Sequence, residues 1–184
     1  MRVIAGTAKG RRLKPVPGES TRPITDRVKV ALFDILAGDI QESAFLDLFA
    51  GTGGVGIEAL SRGARQAVFV EIDPQATRIL NENLKSTRLE ENAVVVRSDS
   101  FSFLERRERH PFEIIYIAPP QYRSLWIRAL QSVDGRPDWL APDGMVVVQI
   151  DPREAQGLAL QNLLEFDRRR YGSTLLIFFE KPGA

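Results

Sequence analysis

From residue 44 to residue 180, short apolar runs alternate with stretches whose apolar side chains recur at helical spacing, which predicts parallel βαβ units. Strands are expected at 45–49, 67–71, 94–96, 112–117 and 144–149. Helices are expected between them at 55–61, 74–85, 101–107 and 125–132, and Pro74 suits a first helical turn. Two closing strands, 163–170 and 174–180, read as a hairpin around Gly172-Ser173. Ahead of this core, Val28, Ala31, Leu32, Ile35 and Leu36 mark one face of a helix that Thr25 or Asp26 caps and Gly38 ends. Residues 2–5 and 10–13 flank a turn and predict a short hairpin, before Pro15, Pro17 and Gly18 break regularity.

The fold class expected from this alternation is α/β, a Rossmann-like, mostly parallel sheet with helices on both faces. The 184 residues are the size of one domain able to bury a core, and 43% hydrophobic with 27% charged residues matches an ordinary globular protein. We expect a single domain over 1–184, divided into a basic extension (1–20) and a cofactor-binding core (21–184). With no cysteine and one histidine, His110, the chain lacks the ligands of a thiolate or histidine metal site, and no metal is expected. No run approaches the roughly 18 apolar residues of a membrane span, so no membrane partner is expected and the cytoplasm is the expected compartment. Net charge is +1, yet residues 1–30 hold eight basic against two acidic residues, +6, which leaves −5 for the rest. Such a basic segment suits a phosphate backbone and equally a solvated surface.

Asp47-Leu48-Phe49-Ala50-Gly51-Thr52-Gly53-Gly54-Val55-Gly56 places glycines where a strand turns into a helix, which allows close backbone approach to a ligand. Glu71 ends the next strand, twenty residues after Gly51, where an acid can accept from ribose hydroxyls. Asp99 follows the third strand, where it could receive an adenine amino group. Asp47, Glu71 and Asp99 thus converge on the carboxyl edge of the sheet, where open α/β folds bind ligands. We read the turn as lacking the phosphate geometry of a dinucleotide Gly-x-Gly-x-x-Gly, and it has no P-loop Lys-Ser/Thr. A cofactor without a pyrophosphate is therefore preferred.

Several stretches together resemble the RsmD family: Arg2-Val3-Ile4-Ala5-Gly6 with Lys9-Gly10-Arg11-Arg12-Leu13, Arg22-Pro23-Ile24-Thr25-Asp26-Arg27-Val28-Lys29, Phe49-Ala50-Gly51-Thr52-Gly53, and Gly56-Ile57-Glu58-Ala59-Leu60-Ser61-Arg62-Gly63-Ala64. The resemblance covers nearly the whole chain, with the motifs in order. It implies a class I methyltransferase that uses S-adenosyl-L-methionine (SAM) to modify the N2 amine of a guanine in small-subunit ribosomal RNA, free or in an assembling subunit. It further implies a seven-stranded sheet and a basic N-terminal extension that meets RNA. Asp47 and Gly51 would then lie beside the methionine part, with Thr25 at its carboxylate and Phe49, Thr52 and Gly53 also lining the cofactor. Glu71 would hold the ribose and Asp99 and Ser100 the adenine, with Ile72 also lining the cofactor. Lys9, Arg11, Arg12 and Arg22 would meet RNA phosphates, which basic side chains bind without reading sequence.

One motif departs. The fourth strand ends in Ala118-Pro119-Pro120-Gln121-Tyr122, where the family has Asp or Asn, Pro-Pro, then an aromatic residue. In the family that first side chain accepts a hydrogen bond from the target amine, and alanine has no acceptor. Gln121 stands at the aromatic position, followed by Tyr122, which can stack on an extruded base. Three functions fit these residues: an RNA methyltransferase, with Gln121 or the Ala118 carbonyl as acceptor; an RNA-binding assembly factor that has lost transfer; and a small-molecule methyltransferase, against which the basic N-terminus argues.

Overall fold

Strand β1 (Ala44–Asp47) is buried at all four residues because it runs in the middle of a sheet covered on both faces. The computed structural model describes residues 1–16, 24–106 and 111–182. To one side of β1 lie β2 (Gln66–Glu71) and β3 (Ala93–Arg97); to the other lie β4 (Phe112–Ile117), β5 (Leu140–Ile150), β7 (Thr174–Glu180) and β6 (Leu164–Tyr171). The order is β3-β2-β1-β4-β5-β7-β6, parallel except that β7 runs against both of its neighbours. Winding changes direction between β1 and β4, so a crevice opens outside their carboxyl ends.

Helices α1 (Asp26–Ile35), α2 (Gly56–Ser61) and α3 (Pro74–Thr87) bury Leu32, Phe33, Ile57 and Leu80 against Phe45, Phe69, Tyr116 and Val147. Helices α4 (Ser100–Leu104) and α5 (Leu125–Asp134) cover the other face, where Trp126 and Trp139 pack with Leu46, Ile115 and Val148. Caps set the starts: Thr25 Oγ1 accepts from Val28 N at 3.3 Å, Asp73 from Ala76 N at 2.7 Å, and Asp99 from Phe101 N and Ser102 N. At the far edge, β6 carries Arg168 paired with Glu165 and Arg169 paired with Asp167, charges that discourage edge-to-edge pairing.

The expected elements form with shifted ends. Helix α4 stops at Leu104 rather than 107, and β5 begins at Leu140, four residues early, because a register shift between Phe112 and Ile114 absorbs Pro142-Asp143-Gly144. The expected N-terminal hairpin forms: Val3 N donates to Arg11 O at 2.9 Å, Gly10 N to Val3 O at 2.9 Å and Leu13 N to Met1 O at 3.0 Å. Around its antiparallel bridge, Arg2–Arg12, Val3, Ala8 and Leu13 are buried, so the hairpin is docked on the core. Expectations placed on Pro17, Gly18, Arg22, Pro23 and His110 lie outside the described residues. Among the described residues no helix is long and apolar enough to cross a membrane, and no metal-binding group of acidic or histidine side chains occurs.

Candidate active site

The turn after β1 is built by backbone that only glycine adopts readily. Gly51 and Gly53 have φ of +53° and +81°. A Cβ at Gly51 would meet nothing within 4 Å, so space lies open in front of it, whereas one at Gly53 would strike Leu80 and one at Gly56 would strike Phe69. Gly51, Gly53 and Gly56 fall at the Gly-x-Gly-x-x-Gly spacing, and spacing alone does not separate cofactor classes.

Glu71 closes this turn. Its Oε2 accepts from Gly51 N at 2.8 Å and its Oε1 from Asp73 N at 2.8 Å, which fixes the carboxylate while leaving a further lone pair on each oxygen. Ile72 beside it is 62% exposed, on the same edge as the open turn. Asp47 is buried and accepts from Gly56 N at 3.2 Å. Burial, with the charge of Glu71 adding to it, raises its pKa to about 7 against the bonding of Gly56. Phe49 packs edge-on against Phe101. Asp99 caps α4 through Oδ1, and the Ser100 hydroxyl donates to Leu48 O at 2.6 Å, so that hydroxyl ties α4 to the end of β1. An open glycine cradle, a fixed carboxylate and an exposed aliphatic fit an adenosyl cofactor.

The loop after β4 sits next to this cradle because Asp47 is level with Tyr116 in the β1–β4 register. Tyr122 has φ of +61°, costly for an aromatic residue, and is held there by the segment after β5. Its N–H donates to Glu154 Oε1 at 2.8 Å and its hydroxyl to Asp151 Oδ2 at 2.8 Å. The Arg153 guanidinium binds both Asp151 oxygens and lies 5.4 Å from the Tyr122 ring centre. Hydrogen bonds from Arg153 and Tyr122 hold the Asp151 carboxyl well below its usual range, and the bond to Asp151 raises the Tyr122 hydroxyl. Tyr122 remains 60% exposed, while Gln121 is exposed on the same turn. Sequence reasoning missed Asp151, Arg153 and Glu154, although Asp151-Pro152 directly after a strand carries an N-cap signal at the ligand-binding edge.

The N-terminal segment packs on the helices that follow the cradle. Asn83, fully buried, accepts from Lys14 N at 2.8 Å and donates to Thr52 O at 3.0 Å. Met1 packs on Gly54, and Glu58 accepts from Ile4 N and Ala5 N. Lys9, Arg11 and Arg12 stay exposed and, among the described residues, have no acidic partner within 4.0 Å. Arg2 and Lys14, by contrast, pair with Asp26 and Glu82.

The model of the family described as conserved hypothetical protein 95 matches residues 1–180. The chain belongs to that family, the RsmD family of ribosomal RNA methyltransferases. Over 150 residues it is 39% identical to ribosomal RNA small subunit methyltransferase D of Escherichia coli, covering 81% of this chain and 74% of that one. The solved structure of the Escherichia coli protein yhhF, 32% identical, superposes with a TM-score of 0.87 and covers 100% of this chain and 99% of that one. An RNA methyltransferase from Salinibacter ruber, solved in complex with S-adenosyl-L-homocysteine, shares the fold at 18% identity with a TM-score of 0.67, covering 88% and 94% of the two chains. The RsmD-family fold is thus the class I, Rossmann-like methyltransferase fold.

Proposed function

We propose that this chain transfers a methyl group from SAM to the exocyclic N2 amine of a guanine in small-subunit ribosomal RNA. The observation that carries the reading is adjacency: the cradle of Gly51 and Glu71 and the loop from Ala118 to Tyr122 end neighbouring strands. When bound, SAM supplies an electrophilic methyl group on a sulfonium. Glu71 accepts from the ribose hydroxyls and Ile72 packs on the adenine. Asp99 receives the adenine amine through the oxygen that does not cap α4. Asp47 faces the methionine ammonium, and Thr25, whose hydroxyl proton is not used in capping, donates to the methionine carboxylate. Phe49, Thr52, Gly53 and Ser100 shape the walls. Pro119 and Pro120 stiffen the loop, and Tyr122, rather than Gln121, stacks on the extruded base, since its ring is the one already fixed at the mouth. Lys9, Arg11, Arg12 and Arg22 hold the phosphate backbone of the rRNA or the assembling small ribosomal subunit.

A second reading, RNA binding without transfer, draws on one observation: Ala118 has no side-chain acceptor. The two separate in an assay with methyl-labelled SAM and small subunits lacking the modification, run in parallel with Ala118→Asp. Label transferred by the unmodified chain supports the enzyme. Label seen only with the variant supports the binding role.

A further inference from the structure

Along β4 the side chains alternate, with Ile115 and Ile117 in the core under α4 and α5, and Ile114, Tyr116 and Ala118 toward α1 to α3. Along β5, Met145 and Val147 share that second face while Val146, Val148 and Ile150 take the first, so Gln149 faces the same way as Ala118. Ile117 is level with Val148, which carries Ala118 level with Gln149 on the neighbouring strand. The buried Tyr116 hydroxyl donates to Gln149 Oε1 at 2.6 Å. Tyr116, Ala118 and Gln149 therefore surround one point on the carboxyl edge, and the small side chain of Ala118 leaves that point to the Gln149 amide. A carbonyl oxygen has two lone pairs, of which Tyr116 engages one.

We propose that Gln149 supplies the hydrogen-bond acceptor for the target amine that residue 118 lacks, with Tyr116 positioning its amide. The inference rests on the functional reading above and adds the residue that completes it. An aromatic amine delocalises its lone pair into the ring; accepting one of its N–H bonds at the edge turns the lone pair toward the methyl donor. The nitrogen then forms its bond to the methyl carbon as the carbon–sulfur bond breaks, with that electron pair going to sulfur. The cationic nitrogen releases its proton to water, because a carboxamide accepts a hydrogen bond without taking the proton.

The test is single-turnover methyl transfer to small subunits lacking the modification, with S-adenosyl-L-homocysteine binding measured on each variant as the check on fold. Gln149→Leu is expected to lower the rate by about 10²–10³-fold, the range for losing one aligned polar stabiliser, with product-cofactor affinity unchanged. Gln149→Glu, which keeps an acceptor, falls less than about tenfold, and Tyr116→Phe, which frees the amide, falls by an intermediate factor. Adding Ala118→Asn to Gln149→Leu restores at least about tenfold of the loss. An active wild type that Gln149→Leu matches in rate overturns the inference and leaves the functional reading standing. So does a double variant with no recovery. A wild type that transfers nothing overturns both.

Discussion

Lys29 and Glu58 form an ion pair at 3.2 Å with neither side chain exposed to solvent. Desolvation lowers the Lys29 pKa, and the neighbouring carboxylate opposes that shift. The pair joins three parts of the molecule: Lys29 Nζ donates to Arg2 O at 2.5 Å, while Glu58 accepts from Ile4 N, Ala5 N and Arg62. Removing one member of a buried pair costs about 3–5 kcal/mol. Lys29→Met is expected to fall in that range by urea denaturation, with the N-terminal segment losing amide protection first. A loss below about 1 kcal/mol would contradict it.

Asp47 gives the protein a pH dependence. Its pKa is raised to about 7 in the folded state, so the folded chain keeps a proton that the unfolded chain releases near its ordinary value of 3.8. Stability is therefore lost progressively as pH rises from about 4 to about 7 and levels off above that. Relative to the wild type, Asp47→Asn should gain stability across this window and hold the gain at higher pH. Denaturation midpoints of the two proteins at about pH 5 and about pH 8 measure the difference.

The Tyr122 ring depends on its clamp. Asp151→Ala removes the acceptor of its hydroxyl and the anchor of Arg153. We expect the KM for RNA to rise and kcat to fall by about tenfold or more, as misplacement of a substrate-positioning group does. Cofactor affinity should stay unchanged, since Asp151 follows β5, two strands from β1 and three from β2. Steady-state kinetics with calorimetric cofactor binding separates the effects.

Replacing Lys9, Arg11 and Arg12 together with Gln tests the RNA-binding face. If all three neutralise phosphates, RNA affinity drops and the slope of log K against log salt falls by about 0.7–0.9 per contact. The same change at Arg2 and Lys14, which already have acidic partners, should alter the slope less. Filter binding across a salt series measures both.

The core of the fold was legible because central parallel strands are buried on both faces and read as continuous apolar runs, as in Phe69 and Val70 or Ile114 and Ile115. The cradle was legible because its glycines and Glu71 fall together at the carboxyl ends of neighbouring strands. What escaped depended on partners far apart in sequence. Gln149 reads as an ordinary strand residue until the register sets it beside Ala118 and Tyr116. Glu58 and Asn83 read as helical surface residues, yet long-range bonds to Ile4, Ala5, Lys14 and Thr52 make them buried anchors. The N-terminal hairpin was legible from its spacing, but its docking against Glu58 and Ser61 was not.

The most direct test of the functional claim is to incubate the wild-type protein with methyl-labelled SAM and small ribosomal subunits lacking the modification, then digest the RNA to nucleosides. Label recovered as N2-methylguanosine is the predicted result. RNA that binds the protein yet carries no label, or label on a different nucleoside, would contradict it.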